Sequence, residues 1–172
     1  MKFNVAQLLK SPAGASREYD LDEEIVGIDP DLEVVKPLTG SVKLLRTSEG
    51  ILVTGHAQTG VRVPCGRCLT PTVIAVEFDL EEQFRPSIDL ITGATVQMGD
   101  GEDPVTRIDW HHILDLTEVV RQNLLLSIPI SPVCDSQCRG LCPGCGANLN
   151  EEACTCHREE GDPRLSALRE LL

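Results

Sequence analysis

Apolar and polar residues alternate most clearly in the first half of the chain. GSVKLLR at 40–46 and VRVPC at 61–65 trade them at period two. Val42, Leu44, Ile51, Val53, Val61, Val63, Val73 and Val76 fall in short runs rich in β-branched residues. Turn signals separate these runs: Ser48-Glu49-Gly50, Thr59-Gly60 and the stretch 64–71, which begins and ends in proline. The pattern over about 34–84 predicts an antiparallel β-meander with one face on a core. Upstream, EEIVGIDP predicts a strand ended by Asp29-Pro30. The cluster Val5, Leu8 and Leu9 predicts a short element that runs into the loop SPAGAS.

The period changes near residue 115. Leu116, Val119, Val120, Leu124 and Leu126 follow at helical spacing until Pro129, which predicts a helix over about 115–128 covering the buried face of the sheet. Asp115 is placed to cap it, and Glu118 three residues on gives an Asp variant of the capping box. Between sheet and helix, residues 85–109 are acidic and carry Gly and Pro, so they predict a loop. At the end, Asp162-Pro163 opens a short helix with Leu165, Leu168, Leu171 and Leu172 on one stripe. Alone it is too short to be stable, so docking on the body is expected. The chain therefore reads as α+β in two parts. Residues 1–129 form a mainly antiparallel β domain with one packing helix. Residues 130–172 form a cysteine-rich, zinc-binding region and a terminal helix.

Composition sharpens this in three ways. Phe3, Tyr19, Phe78, Phe84 and Trp110 are the only aromatics, so the core must be built from Val, Leu and Ile. No apolar stretch approaches the roughly 18 residues of a membrane span, and the N-terminus lacks the apolar run of a secretory signal, which predicts a cytoplasmic protein. The formal net charge is −12 but unevenly spread. Residues 36–73 hold Lys36, Lys43, Arg46, Arg62 and Arg67 against Glu49 alone, whereas 18–33 hold eight acids and no base. An acidic whole disfavours non-specific binding to phosphates, while the basic middle leaves room for a local nucleic-acid or ribosomal contact, or is simply a differently solvated surface.

The candidate chemistry lies in eight cysteines. Cys65 and Cys68 form a CxxC between two predicted strands; Cys134, Cys138, Cys142, Cys145, Cys154 and Cys156 crowd into 134–156. A reducing compartment disfavours structural disulfides. Pairs two or three residues apart each supply two corners of a zinc tetrahedron, so the eight suit one or two zinc ions. The compact pairing puts Cys142, Cys145, Cys154 and Cys156 on one ion and Cys65, Cys68, Cys134 and Cys138 on another, which would pin the tail to the β domain. His157, next to Cys156, is an alternative ligand. Eight thiolates and two zinc ions would take the formal charge to about −16, and Arg67 and Arg139 lie beside ligands where they can offset it.

A catalytic zinc keeps an open position and usually His or carboxylate ligands. Here every pair is Cys–Cys, no HxE or HExxH occurs, and His111 and His112 are adjacent and so diverge. Nucleophile-elbow, P-loop and dinucleotide fingerprints are missing too, and GDGED lacks the spacing of a calcium loop. No residue is expected to be catalytic.

With the cysteines placed, VPCGRCLTP at 63–71, DLTEVVRQNLLLSIPISPVC at 115–134, CRGLCPGCGANLNEEACTC at 138–156 and DPRLSALRELL at 162–172 resemble, in order, the YceD family. These are bacterial and plastid proteins named for accumulation of large-subunit ribosomal RNA. The resemblance implies a small cytoplasmic protein, without catalytic activity, tied to formation of the large ribosomal subunit. Family genes commonly neighbour that of a zinc-ribbon protein of that subunit. Some members keep the counterparts of Cys65 and Cys68 but lack most later cysteines, which implies a structural tail zinc. The CxxC hairpin, its basic neighbours and the last helix are then the candidates for the shared function.

The leading expectation is a zinc-binding accessory factor acting on precursor RNA or on a basic large-subunit ribosomal protein. Lys43, Arg46, Arg62 and Arg67 are the candidates for RNA or partner contact. Scarce aromatics speak against base stacking on the sheet. The rival expectation is a redox-switched zinc chaperone, whose thiolates oxidise, eject metal and release an apolar surface.

Overall fold

A computed structural model describes residues 1–89, 92–97, 99 and 103–156. The expected terminal helix and His157 lie outside them. The elements in order are β1 (Lys2–Asn4), α1 (Ala6–Lys10), β2 (Ser16–Glu23), β3 (Glu33–Val34), β4 (Leu38–Arg46), β5 (Ile51–Pro64) and β6 (Pro71–Pro86). After a 3-10 turn at Pro104–Thr106 come β7 (Arg107–Ile108), β8 (Ile113–Asp115) and α2 (Thr117–Ser127). The architecture is α+β and mostly sheet, as the alternation predicts.

The main sheet runs β2-β4-β5-β6-β7, with β3 also on β5; all its pairings are antiparallel except the two-residue β6–β7 pair, which is parallel. The register brings one apolar face together. Val42 lies opposite Gly55, Leu44 opposite Val53, Ile51 opposite Phe84 and Ala57 opposite Phe78. These join Leu8 and Leu9 of α1 and Val119, Val120 and Leu124 of α2 in one buried cluster, so the helices cover that face. The other face stays open. It carries Glu18, Asp20 and Asp22 on β2, Lys43 on β4, His56 and Arg62 on β5, and Glu77, Asp79 and Glu81 on β6, all exposed.

Three local expectations are corrected. EEIVGIDP is not a strand: β2 ends at Glu23, and the following residues turn, with Gly27 at φ 74. Ile25 and Leu32 are buried while Val26 is 83% exposed, a spacing that fits a plug under a turn better than a pleat. Asp29 there accepts from the Asp31 amide and pairs with Arg121 of α2 at 2.8 Å. The helix begins at Thr117 with Leu116 in the capping position and no side-chain cap; Asp115, at the end of β8, accepts from the Thr117 amide at 3.0 Å in the turn that leads into it. Glu118 does not close the capping box, because Arg121 and Gln122 take its carboxylate and hold it down to about 2. The 85–109 loop is likewise not wholly irregular: β6 continues to Pro86, and β7 returns alongside it. No helix among the described residues is long and apolar enough to cross a membrane.

Candidate metal centres

The two longest strands carry the first site. The β5–β6 ladder ends where Pro64 faces Pro71, and the loop between them holds Cys65 and Cys68. Within it the Cys65 amide donates to the Thr70 carbonyl at 3.0 Å and the Leu69 amide to the Cys65 carbonyl at 2.9 Å. The Arg67 amide points at the Cys65 sulfur at 3.4 Å. The loop closes only because Leu69 adopts φ 60, in the left-handed region.

The same three bonds recur at the same offsets around Cys142. Its amide donates to the Ala147 carbonyl at 2.8 Å, the Gly146 amide returns to the Cys142 carbonyl at 2.8 Å, and the Gly144 amide points at the Cys142 sulfur at 3.4 Å. Here the left-handed position is a glycine, Gly146, at φ 76. CGRCLT and CPGCGA thus make one knuckle twice.

Each knuckle meets a second cysteine pair. The sulfurs of Cys65, Cys68, Cys134 and Cys138 lie within 4.8 Å of one another, as do those of Cys142, Cys145, Cys154 and Cys156. Four thiolates around a tetrahedral ion at ~2.3 Å would sit roughly 3.8 Å apart. The first tetrad has Cys65–Cys138 at 3.9 Å and Cys68–Cys134 at 3.6 Å; the second has Cys145–Cys154 at 3.5 Å and Cys142–Cys154 at 3.3 Å. All eight thiols are free. The donor set and spacing fit a thiolate-bound zinc at each tetrad, in the compact pairing.

Hydrogen bonding grades the thiols within each tetrad. The amides of Cys68, Arg67 and Cys134 converge on Cys65 and bring it down to about 6. The Cys145 amide, the Cys154 thiol and the Gly144 amide do the same for Cys142, also to about 6. The Thr70 hydroxyl and amide lower Cys68. Neighbouring sulfurs push the last members up: Cys134 to about 12 beside Cys68 and Cys138, and Cys156 to about 12 beside Cys154 and Cys145. Within the tetrads, hydrogen bonding thus favours the thiolate at Cys65 and Cys142, and the neighbouring sulfurs favour the protonated thiol at Cys134 and Cys156. A dication would displace those protons.

Burial grades the sites. In the first tetrad Cys65, Cys68 and Cys138 are buried, with Leu141 packed against them, and Cys134 is exposed; in the second Cys142 alone is buried and Cys145 and Cys156 are exposed. The first tetrad also fastens 130–141 to the hairpin tip. The Gly66 amide donates to the Pro132 carbonyl at 2.7 Å, and a Cβ on Gly66 would lie 2.6 Å from the Ser131 hydroxyl. Arg67 reaches the Cys138 carbonyl at 2.9 Å, so its guanidinium braces the ligand turn. Arg139 is exposed, and its backbone amide donates to the Asn150 side-chain oxygen at 2.8 Å. Sequence reading passed over Asn150, whose side chain donates to the Cys138 sulfur at 3.3 Å. The available signal was an amide side chain inside a ligand loop.

The other candidate contact residues are dispersed. Lys43 pairs with Glu18 at 3.8 Å and Arg62 with Glu33. Arg46 turns inward to the carbonyls of Leu9, Thr47 and Gly50. Thr54, the partner of Lys43, stands eight positions from Arg62 along β5, so the structure brings no basic patch together from these four.

Known proteins place the chain. The family described as "Large ribosomal RNA subunit accumulation protein YceD" matches residues 53–172. An uncharacterized protein of Mycobacterium tuberculosis is 34% identical over 170 residues, covering 99% of this chain and 74% of its own length. The chloroplastic YCED homolog 1 of Arabidopsis thaliana, named a large ribosomal RNA subunit accumulation protein, is 30% identical over 73% of this chain and 46% of its own. Uncharacterized protein YlbN of Bacillus subtilis is 25% identical over the whole chain and 96% of its own. No solved structure matches significantly. With the knuckles and most of the sheet inside the matched span, the chain belongs to the YceD family.

Proposed function

We propose that this protein is a non-catalytic, zinc-binding accessory factor in the accumulation of large-subunit ribosomal RNA, and that it acts by holding a basic ribosomal protein. The family and the name of the Arabidopsis relative supply the process. The observation that favours a protein partner over RNA is the open face of the sheet. Glu18, Asp20, Asp22, Glu77, Asp79 and Glu81 stand there against Lys43 and Arg62, both already ion-paired. Such a face repels phosphate and speeds encounter with a cationic protein. On this reading residues 130–156 are a zinc-binding appendage that the first tetrad pins to the β domain. Thiolate ligands must stay reduced, which fits a cytoplasmic setting.

The test is sedimentation of the tagged protein from lysate, with and without ribonuclease. A basic large-subunit protein that stays bound after ribonuclease, and is lost in an Asp20→Lys/Asp22→Lys/Asp79→Lys variant, supports the reading. Association that ribonuclease abolishes, and that Lys43→Ala/Arg62→Ala weakens, would replace it with direct RNA contact.

A further inference from the structure

We propose that the two tetrads load zinc cooperatively, and that Asn150, carried on the loop of the second, is the residue that positions Cys138 of the first. The inference rests on the reading that both tetrads hold zinc.

Cys138 and Cys142 belong to different tetrads and are separated by Arg139, Gly140 and Leu141. Each of the three is tied to a ligand loop. The Arg139 amide donates to the Asn150 side-chain oxygen at 2.8 Å, the Gly140 carbonyl accepts from the Leu149 amide at 2.9 Å, and the Leu141 amide donates to the Arg67 carbonyl at 3.1 Å. Gly140 sits at φ 75, and a Cβ there would lie 3.0 Å from the same Arg67 carbonyl, so the linker is pressed against the first knuckle.

The traffic runs both ways. Asn150 lies between Cys145 and Cys154, in the loop that the second ion would close, yet its amide nitrogen donates to the Cys138 sulfur in the first tetrad. Asn148 holds it in place, accepting from the Asn150 side chain at 2.8 Å and backbone at 3.1 Å. In return, the first knuckle fixes Leu141, one residue before the second knuckle begins. Ordering either loop costs conformational entropy. Whichever ion binds first meets that cost for the shared linker, so the second binds more tightly. Linkage requires the same factor in both directions, and about tenfold is an ordinary size for it.

Asn150 is thus a positioning residue: it touches a ligand sulfur and leaves the metal's own coordination to cysteine. Orienting contacts of this kind commonly cost 10–100-fold in metal affinity when removed.

The test titrates the metal-free full chain with zinc and reads the species by native mass spectrometry. At half saturation, empty and doubly loaded molecules should outnumber singly loaded ones, which would make up about half if the sites were equal and independent. Cys145→Ser/Cys156→Ser should weaken the first site about tenfold, and Cys68→Ser/Cys134→Ser should weaken the second by the same factor. Asn150→Ala keeps all eight cysteines and should still bind two zinc ions, with the singly loaded species restored. Circular dichroism of the sheet serves as the folding control. An unchanged first-site affinity in Cys145→Ser/Cys156→Ser would overturn the cooperativity, and unchanged speciation in Asn150→Ala the role of that residue. Fewer than two zinc ions on the unmodified protein would instead remove the metal reading beneath both.

Discussion

The two knuckles are built on one plan and set in different surroundings. Both use the same three backbone bonds and one thiol brought down to about 6. The first sits at the end of a hairpin of 14- and 16-residue strands and closes over Cys65, which is fully buried. The second stands on a loop with two of its four sulfurs exposed. Local sequence therefore sets the knuckle, while its setting decides how closely the site is built into the sheet.

The largest effect that would break this comparison is loss of a ligand. Cys65→Ser should remove the first zinc and free residues 130–156 to proteases, because the tail's bonds to Gly66 and Arg67 depend on that knuckle. Cys156→Ser should cost one zinc ion but leave the thermal transition of the sheet in place; limited proteolysis and calorimetry read the two. Equal proteolysis in both variants would erase the distinction.

Next in size is oxidation. Mild peroxide should release zinc from the second tetrad faster than from the first, since attack needs an accessible thiolate and two sulfurs are exposed there against Cys134 alone in the first. A zinc dye followed on the unmodified protein resolves the fast and slow phases. A single common rate would count against burial as the difference, and in favour of the redox-switch reading for both.

A smaller effect should be shared by both sites. Cys65 and Cys142 ionise near 6 instead of the ordinary 9.0, so at neutral pH they have no proton to give up when zinc binds. As pH falls through about 6 they regain protons, so more are released per ion bound and affinity drops more steeply. Above that range they contribute no further pH dependence. Calorimetry in two buffers of different ionisation heat counts the protons.

The smallest effect concerns one residue of each loop. Leu69 is held at φ 60, where a side chain costs about 1–2 kcal/mol. Leu69→Gly should therefore stabilise the first knuckle slightly, by about 1 kcal/mol or less after the added freedom of the unfolded chain. Gly146→Ala at φ 76 should destabilise the second by about 1 kcal/mol. Urea midpoints of the zinc-loaded variants give both signs.

Much of this was legible in the chain itself. Period-two runs announced β4 and β5, and helical spacing announced α2 to within two residues of its start. The cysteine spacing announced the local pairs, while their joining into two tetrads is long-range and was only the more compact of the possible pairings. What was missed depended on partners distant in sequence. Asp29 looked like the end of a strand until Arg121, 92 residues away, was seen to hold it in a turn. Glu118 suited a capping box by spacing, but Arg121 on the next turn of helix competes for it. The basic residues 43, 46, 62 and 67 read as a group because they are near in sequence; folding sends Arg46 into carbonyls and sets Lys43 far from Arg62.

The place where Pro64 meets Pro71 has a further consequence. A hairpin this long has many ways to misalign, and a slip of one residue would turn Val53, Ala57 and Val61 out to water. Prolines do not donate to a ladder, so backbone pairing checks alignment weakly at that end. The sulfurs check it instead: in a slipped hairpin Cys65 and Cys68 could not both face Cys134 and Cys138. An ion at the tip would thus proofread the alignment of the whole sheet, and metal-starved cells should accumulate chain whose strands have been zipped out of step.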